Sequence, residues 1–193
     1  METTRAAFLT RGAKGGLALV AGGALLGLAE DVALAAPSKD SDIAKLAATA
    51  ELLAIDFYKR AIASKKFSGD ELGYMRAALG NEQAHYKALA GVLGMKAPKN
   101  IKFKYPSGVF SSARAIGRLG QALETAFVGA YMGAVTALKS NELKGVAAQI
   151  GANESRHLSV LTNIAAGAIV PAPALPKVLT AAQATSAVKP FLA

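Results

Sequence analysis

The 193-residue chain contains no cysteine, no tryptophan and only two histidines. Without cysteine there is no disulfide and no thiolate ligand in any compartment, so a bound metal would have to be held by nitrogen and oxygen. Acidic residues are scarce as well, 13 Asp and Glu against 22 Lys and Arg, for a formal net charge of +9. Such a balance can mark a partner of nucleic acid or of anionic membranes. The cations are scattered, however, apart from Lys65 with Lys66 and the group Lys96, Lys99, Lys102 and Lys104, and no aromatic stacking module accompanies them. No nucleic-acid partner is expected, and the charge reads as a solvated surface.

The apolar run at residues 15–29 is too short and too rich in glycine to span a bilayer comfortably. Preceded by Arg5, Arg11 and Lys14 and followed by the small-x-small triplet Ala33, Leu34, Ala35, it reads as a cleaved export signal over residues 1–35. The stretch TRAAFLT, residues 4–10, resembles the twin-arginine export signal with Ala6 in place of the second arginine. That departure leaves the general secretory route open beside it. An uncleaved membrane anchor is the other reading of the segment, and only then would a membrane be a partner. Removing residues 1–35 deletes three basic residues (Arg5, Arg11, Lys14) and three acidic ones (Glu2, Glu30, Asp31), leaving 19 against 10 and the same excess. The expected location is periplasmic or extracellular.

The remainder reads as all-α, four long helices over residues 36–167 followed by a strap over 168–193. The first helix is expected over 42–64 with Ser41 or Asp40 as cap. The second is announced by a Ser68/Glu71 capping box and ends at Gly94. Residues 95–110, with two prolines and five bulky apolar side chains, suit a structured crossover. The third helix starts near Ser111 or Ser112 and runs to about Lys139; the fourth is capped by Ser140 and fades around Gly167. Beyond it, VPAPALPKVL is a proline-rich strap, and Thr180 with Gln183 forms the capping box of a short last helix.

Both histidines occur in Asn-Glu-x-x-His, as Asn81-Glu82-x-x-His85 and Asn153-Glu154-x-x-His157. With eight glutamates in 193 residues, a glutamate three places before both histidines is roughly a one in six hundred accident. A spacing of three puts each glutamate beside its histidine on one helix face. The first and third helices carry a second repeated pair, Glu51 with Tyr58 and Glu124 with Tyr131, seven residues or two turns apart. At 1.5 Å per residue, a tight hairpin puts Glu51 and Glu82 both about 20 Å from their turn, and Glu124 and Glu154 at a matching depth. The neighbours Ala47, Ala50, Ala54, Ala61, Ala78 and Ala147 would leave these carboxylates desolvated. Four such groups repel one another, and two divalent cations relieve that repulsion directly. For the tyrosines, a core ring whose hydroxyl finds some acceptor is the plain alternative to a role at the site. The two asparagines can equally be helix surface.

On these motifs, residues 42–167 resemble the ferritin-like superfamily, whose members include bacterioferritin and rubrerythrin, and in style the exported bacterial ferritin-like family that contains desiccation-related proteins. The resemblance implies a ferritin-like four-helix bundle with a long crossover between its second and third helices. It implies two iron ions, with manganese as the other option. Glu51 and Glu124 would be terminal ligands, Glu82 and Glu154 bridges, and His85 and His157 nitrogen donors. Tyr58 and Tyr131 would hydrogen-bond across the bundle to groups behind the ligands or take part in electron transfer. Oxygen or peroxide would be the small-molecule substrate, with a homodimer left open. Mineral storage is disfavoured, because six acidic residues besides the four would remain to line an inner surface. The function expected is redox work on ferrous iron in stress defence; a structural stress protein with a metal-stapled bundle is the alternative.

Overall fold

The computed structural model describes residues 39–169 and 173–193, so the expected export signal lies outside it. Four long helices, α1 (Asp40–Ala63), α2 (Gly69–Leu93), α3 (Ala113–Ala137) and α4 (Asn141–Ala166), form a four-helix bundle, and a short α5 (Ala181–Val188) follows the strap. The helices α1 and α2 make one hairpin and α3 and α4 the other, with the long crossover between them. Among the described residues no helix is long and apolar enough to cross a membrane.

Local chemistry accounts for most of the helix ends. Ser112 Oγ accepts from Ala115 N and Ser140 Oγ from Leu143 N, each satisfying a first-turn donor. Gly167, left-handed at φ 74°, closes α4. Thr180 and Gln183 form the reciprocal capping box. Two expectations fail. Asp40 is the first residue of α1 and caps nothing in it; its carboxylate accepts from Lys139 N at 2.9 Å and Ser140 N at 2.8 Å, tying the start of α1 to the α3–α4 turn. Ser68 holds the N-cap position of α2 but gives its helix no side-chain bond. Gly69 follows it at φ 51°, and this backbone turn replaces the ordinary capping geometry.

The core lies in two apolar clusters. Leu53, Phe57, Met75, Ile116 and Leu161 belong to one, and Ile43, Ala48, Leu89, Leu138 and Ile150 to the other. Along α1, α2 and α4 a glutamate interrupts the apolar face between them: Glu51, Glu82 and Glu154.

The crossover is built into the fold. Phe103 is buried, Tyr86 donates to Pro98 O at 2.8 Å, and Lys104 N donates to Phe191 O at 2.9 Å, where the crossover pairs with the chain after α5. The strap lies directly on α3, with Leu179 N donating to Gly129 O at 2.9 Å. A Cβ at Gly133 would collide with the carbonyl oxygen of Leu179, so this approach requires glycine.

Gly133→Ala is therefore expected to lower stability by about 1–3 kcal/mol through overpacking. Gly145→Ala, at an exposed site in α4 with open space around it, should raise stability by about 0.5–1 kcal/mol by removing backbone freedom from the unfolded chain. Denaturant unfolding of the two variants decides. Equal and small effects would mean that the strap does not press on α3.

Candidate metal centre

At mid-depth each helix turns a carboxylate inward: Glu51 from α1, Glu82 from α2, Glu124 from α3 and Glu154 from α4, all buried. The spacing of three sets His85 and His157 one turn on from Glu82 and Glu154, and the alanine-rich faces let the helices close around these groups. The result is two overlapping sets. Ligand atoms of Glu51, Glu82, His85 and Glu154 lie within 4.8 Å of one another, and so do those of Glu82, Glu124, Glu154 and His157. Glu82 and Glu154 belong to both.

The imidazoles show how these sets are organised. His85 Nδ1 lies 3.3 Å from Glu51, 3.3 Å from Glu82 and 3.0 Å from Glu154. His157 Nδ1 lies 2.7 Å from Glu82, 3.2 Å from Glu154 and 3.8 Å from Glu124. A single nitrogen carries at most one proton and cannot satisfy three carboxylates. Accordingly Glu124 Oε2 is buried with no hydrogen bond, and Glu51 Oε2, Glu82 Oε1 and Glu154 Oε1 have only a share of one of these two nitrogens. Oxygen atoms stranded in this way are costly unless a cation meets them. Carboxylate and imidazole donors with no sulfur suit iron, manganese or zinc. The donor set therefore fits a metal, and the cluster could bind metal ions.

The tyrosines are exchanged between the two halves. Tyr58 of α1 donates to Glu124 Oε1 of α3 at 2.7 Å, and Tyr131 of α3 donates to Glu51 Oε1 of α1. Each hydroxyl thus bonds directly to a carboxylate of the cluster, not to a group behind it. Asp56 points outward and pairs with Arg60 at 2.7 Å.

Two groups at the site escaped the sequence reading. Asn81, for which helix surface was an open option, is half-buried and lies with its Nδ2 3.2 Å from His157 Nε2, on the side of the ring away from the carboxylates. Its signal was the asparagine that precedes the glutamate in both motifs. Asn153, its counterpart, is also half-buried, and its Oδ1 has no hydrogen bond. Tyr74 meets the His157 ring edge-on at 6.2 Å with its hydroxyl buried and unbonded. No pattern announced it: Val146 stands at the equivalent place in the second half. The two ends of the cluster also differ in access, the His85 side chain being 12% exposed and His157 1%.

Titration behaviour follows from this crowding. Burial raises Glu51 and Glu124 well above the ordinary carboxylate range, with the charges of Glu154 and Glu82 adding to it. Burial opposes the charged form of Glu154 too, but hydrogen bonds from His157 and His85 outweigh it and bring its pKa down to about 2. Burial alone would lower both histidines; bonds to Glu154, Glu51 and Glu82 instead push His85 up to about 12, and Glu154 and Glu82 push His157 up to about 9. Burial and the neighbouring carboxylates raise Tyr58 and Tyr131 as well, so their hydroxyls stay protonated.

Residues 39–167 match the ferritin-like domain family, and the chain belongs to that family. No curated protein matches the chain.

The shifts set a pH dependence for chelator-treated protein. His157 is raised when folded, so its contribution is complete below its ordinary value of 6.5 and disappears as the pH rises through about 9. The raised Glu51 and Glu124 act in the same direction, whereas the lowered Glu154 contributes above 4.5 and loses its effect only towards about 2. The melting temperature of the chelated protein should fall as the pH is raised from 6.5 through 9, and metal ions should flatten the curve by displacing the imidazole protons. Thermal melts with and without chelator check both statements.

Proposed function

We propose that the protein is an exported dimetal carboxylate protein that binds two iron ions and uses them in redox chemistry with oxygen or peroxide, in defence against stress. The overlap of the two ligand sets at Glu82 and Glu154 carries this reading, because shared carboxylates between two otherwise separate Glu/His pairs are what a bridged ion pair requires. In it Glu51 and His85 would complete one ion's set and Glu124 and His157 the other's, with Glu82 and Glu154 shared by both. Manganese would be held by the same donors. Iron bound there supplies one-electron steps towards oxygen or peroxide. The chain's own contribution is to hold the donors in fixed positions, to exclude bulk water except beside His85, and to keep a proton at each terminal carboxylate through Tyr58 and Tyr131. Asn81 orients the His157 ring from behind, the usual task of a group bonded to the far nitrogen of a ligating imidazole.

A second reading has its own support. The cluster joins all four helices between two apolar clusters and is almost closed to solvent, so bound ions would also staple the bundle. In that case the protein is a structural stress protein and turnover is incidental.

Reconstitution with ferrous iron under anaerobic conditions should give a metal content of about two ions per chain, and the paired change Glu82→Ala with Glu154→Ala should abolish it. Elemental analysis reads the outcome; a ratio near zero in folded wild type would remove the metal reading altogether.

The tyrosines separate redox work from stapling. At matched metal loading, Tyr58→Phe and Tyr131→Phe should slow ferrous iron oxidation by about tenfold or more if the hydroxyls serve the reaction. Under stapling alone, each variant should lose about 1 kcal/mol of stability and nothing else, and the wild type itself should turn over negligibly. Oxidation rates with oxygen and then peroxide decide.

A further inference from the structure

Against the Tyr131 end of the cluster lies a cavity of about 320 Å³, partly open to solvent, between α1, α3, the strap and α5. Ala47 and Ala50 of α1, Ala134 of α3 and Val188 of α5 are in its wall, which contains no Asp, Glu, Lys, Arg or His. Its three polar side chains are already engaged. Tyr131 donates to Glu51, Thr136 Oγ1 donates to Gly133 O at 2.8 Å, and Thr180 Oγ1 accepts from Gln183 N at 3.3 Å. What the cavity offers a ligand is therefore almost wholly apolar. Water gains little there, since a stable buried water needs two to four polar partners.

The void follows from residue choice. At Ala47 and Ala134 the helices carry a methyl group towards the cavity, whereas the neighbouring core is filled by Leu53, Phe57 and Phe127. The strap cannot sink in to close it, because the Leu179 carbonyl already rests on Gly133. The space has about twice the volume of a buried cavity that takes up one benzene, which suits a molecule of about ten carbon atoms. With no cation in the wall, a carboxylate or phosphate would lose its hydration without compensation.

We propose that this cavity is a binding site for an uncharged apolar small molecule of about ten carbons, seated against the Tyr131 ring and thus one hydrogen bond from the Glu51 carboxylate. The site needs no metal, so it stands or falls independently of the dimetal reading.

The test uses the full chain, metal-loaded and chelated, and 1-decanol as probe, with decanoate as its charged counterpart. Calorimetry should show saturable binding of one 1-decanol per chain in both metal states, with decanoate weaker by about tenfold or more for want of a cation. Ala134→Leu and Ala184→Leu, which fill the space, should each weaken 1-decanol binding by about tenfold or more while leaving metal content unchanged. Should either variant fail to fold, nuclear Overhauser contacts between the probe and the methyl groups of Ala47, Ala134 and Val188 in wild type take its place. No saturable binding would overturn the proposal and leave the cavity to a protein segment. Decanoate binding as tightly as the alcohol, undiminished binding in the folded variants, or contacts to other residues would overturn it equally.

Discussion

Four carboxylates buried at one level of a helical bundle must be neutralised by cations or by protons, and the rest of the molecule is arranged around that requirement. Each helix contributes one of them, so no helix can leave without stranding the others' countercharge. Among the described residues, two imidazoles, each facing three carboxylates through a single nitrogen, are the cationic side chains brought within 4 Å of them. The alanines beside the cluster allow the helices to approach closely enough for all six groups to meet, and the two apolar clusters keep water from replacing them.

The duplicated motif gives the site an approximate two-fold plan, and the departures from that plan distinguish its ends. Tyr58 and Tyr131 exchange partners across the halves, so each copy of Glu-x6-Tyr is completed only by the other. Asn81 supports His157, and Tyr58 and Tyr74 flank its ring, whereas His85 has the solvent-facing edge. The apolar cavity meets the cluster at Tyr131. One end is thus enclosed by rings and an amide, and the other lies nearer to water and to the void.

Much of this was legible along the chain. Ser112, Ser140 and the Thr180/Gln183 pair are local signals, since a cap and the donor it satisfies lie three residues apart, and each gave its helix start to within a residue or two. The four glutamates and two histidines of the cluster were readable as neighbours because helical periodicity converts spacings of three and seven into shared faces. What escaped depends on contacts between distant segments. Asp40 looks like a cap for its own helix until the α3–α4 turn, some hundred residues later, offers two free N–H groups. Ser68 is followed by a glycine whose left-handed turn no capping pattern records. Asn81 and Asn153 hold the same place in Asn-Glu-x-x-His, yet of the two Asn81 alone meets a ring nitrogen, which depends on how α2 and α4 lean together. The strap was legible as a proline-rich stretch but its place was not, since its closeness to α3 rests on a glycine within a helix that has many small residues.

Because Glu82 of α2 and Glu154 of α4 belong to both ligand sets, neither hairpin possesses a complete set of its own. Docking the α1–α2 hairpin on the α3–α4 hairpin and forming a cation site are therefore a single event, and the two equilibria are linked by mass action. A cation present at a hundred times its dissociation constant would add about 2.7 kcal/mol to the docked state, and in metal-poor surroundings that increment would vanish. With metal bound as proposed, the bundle's tightness would be a reading of the free metal concentration around it.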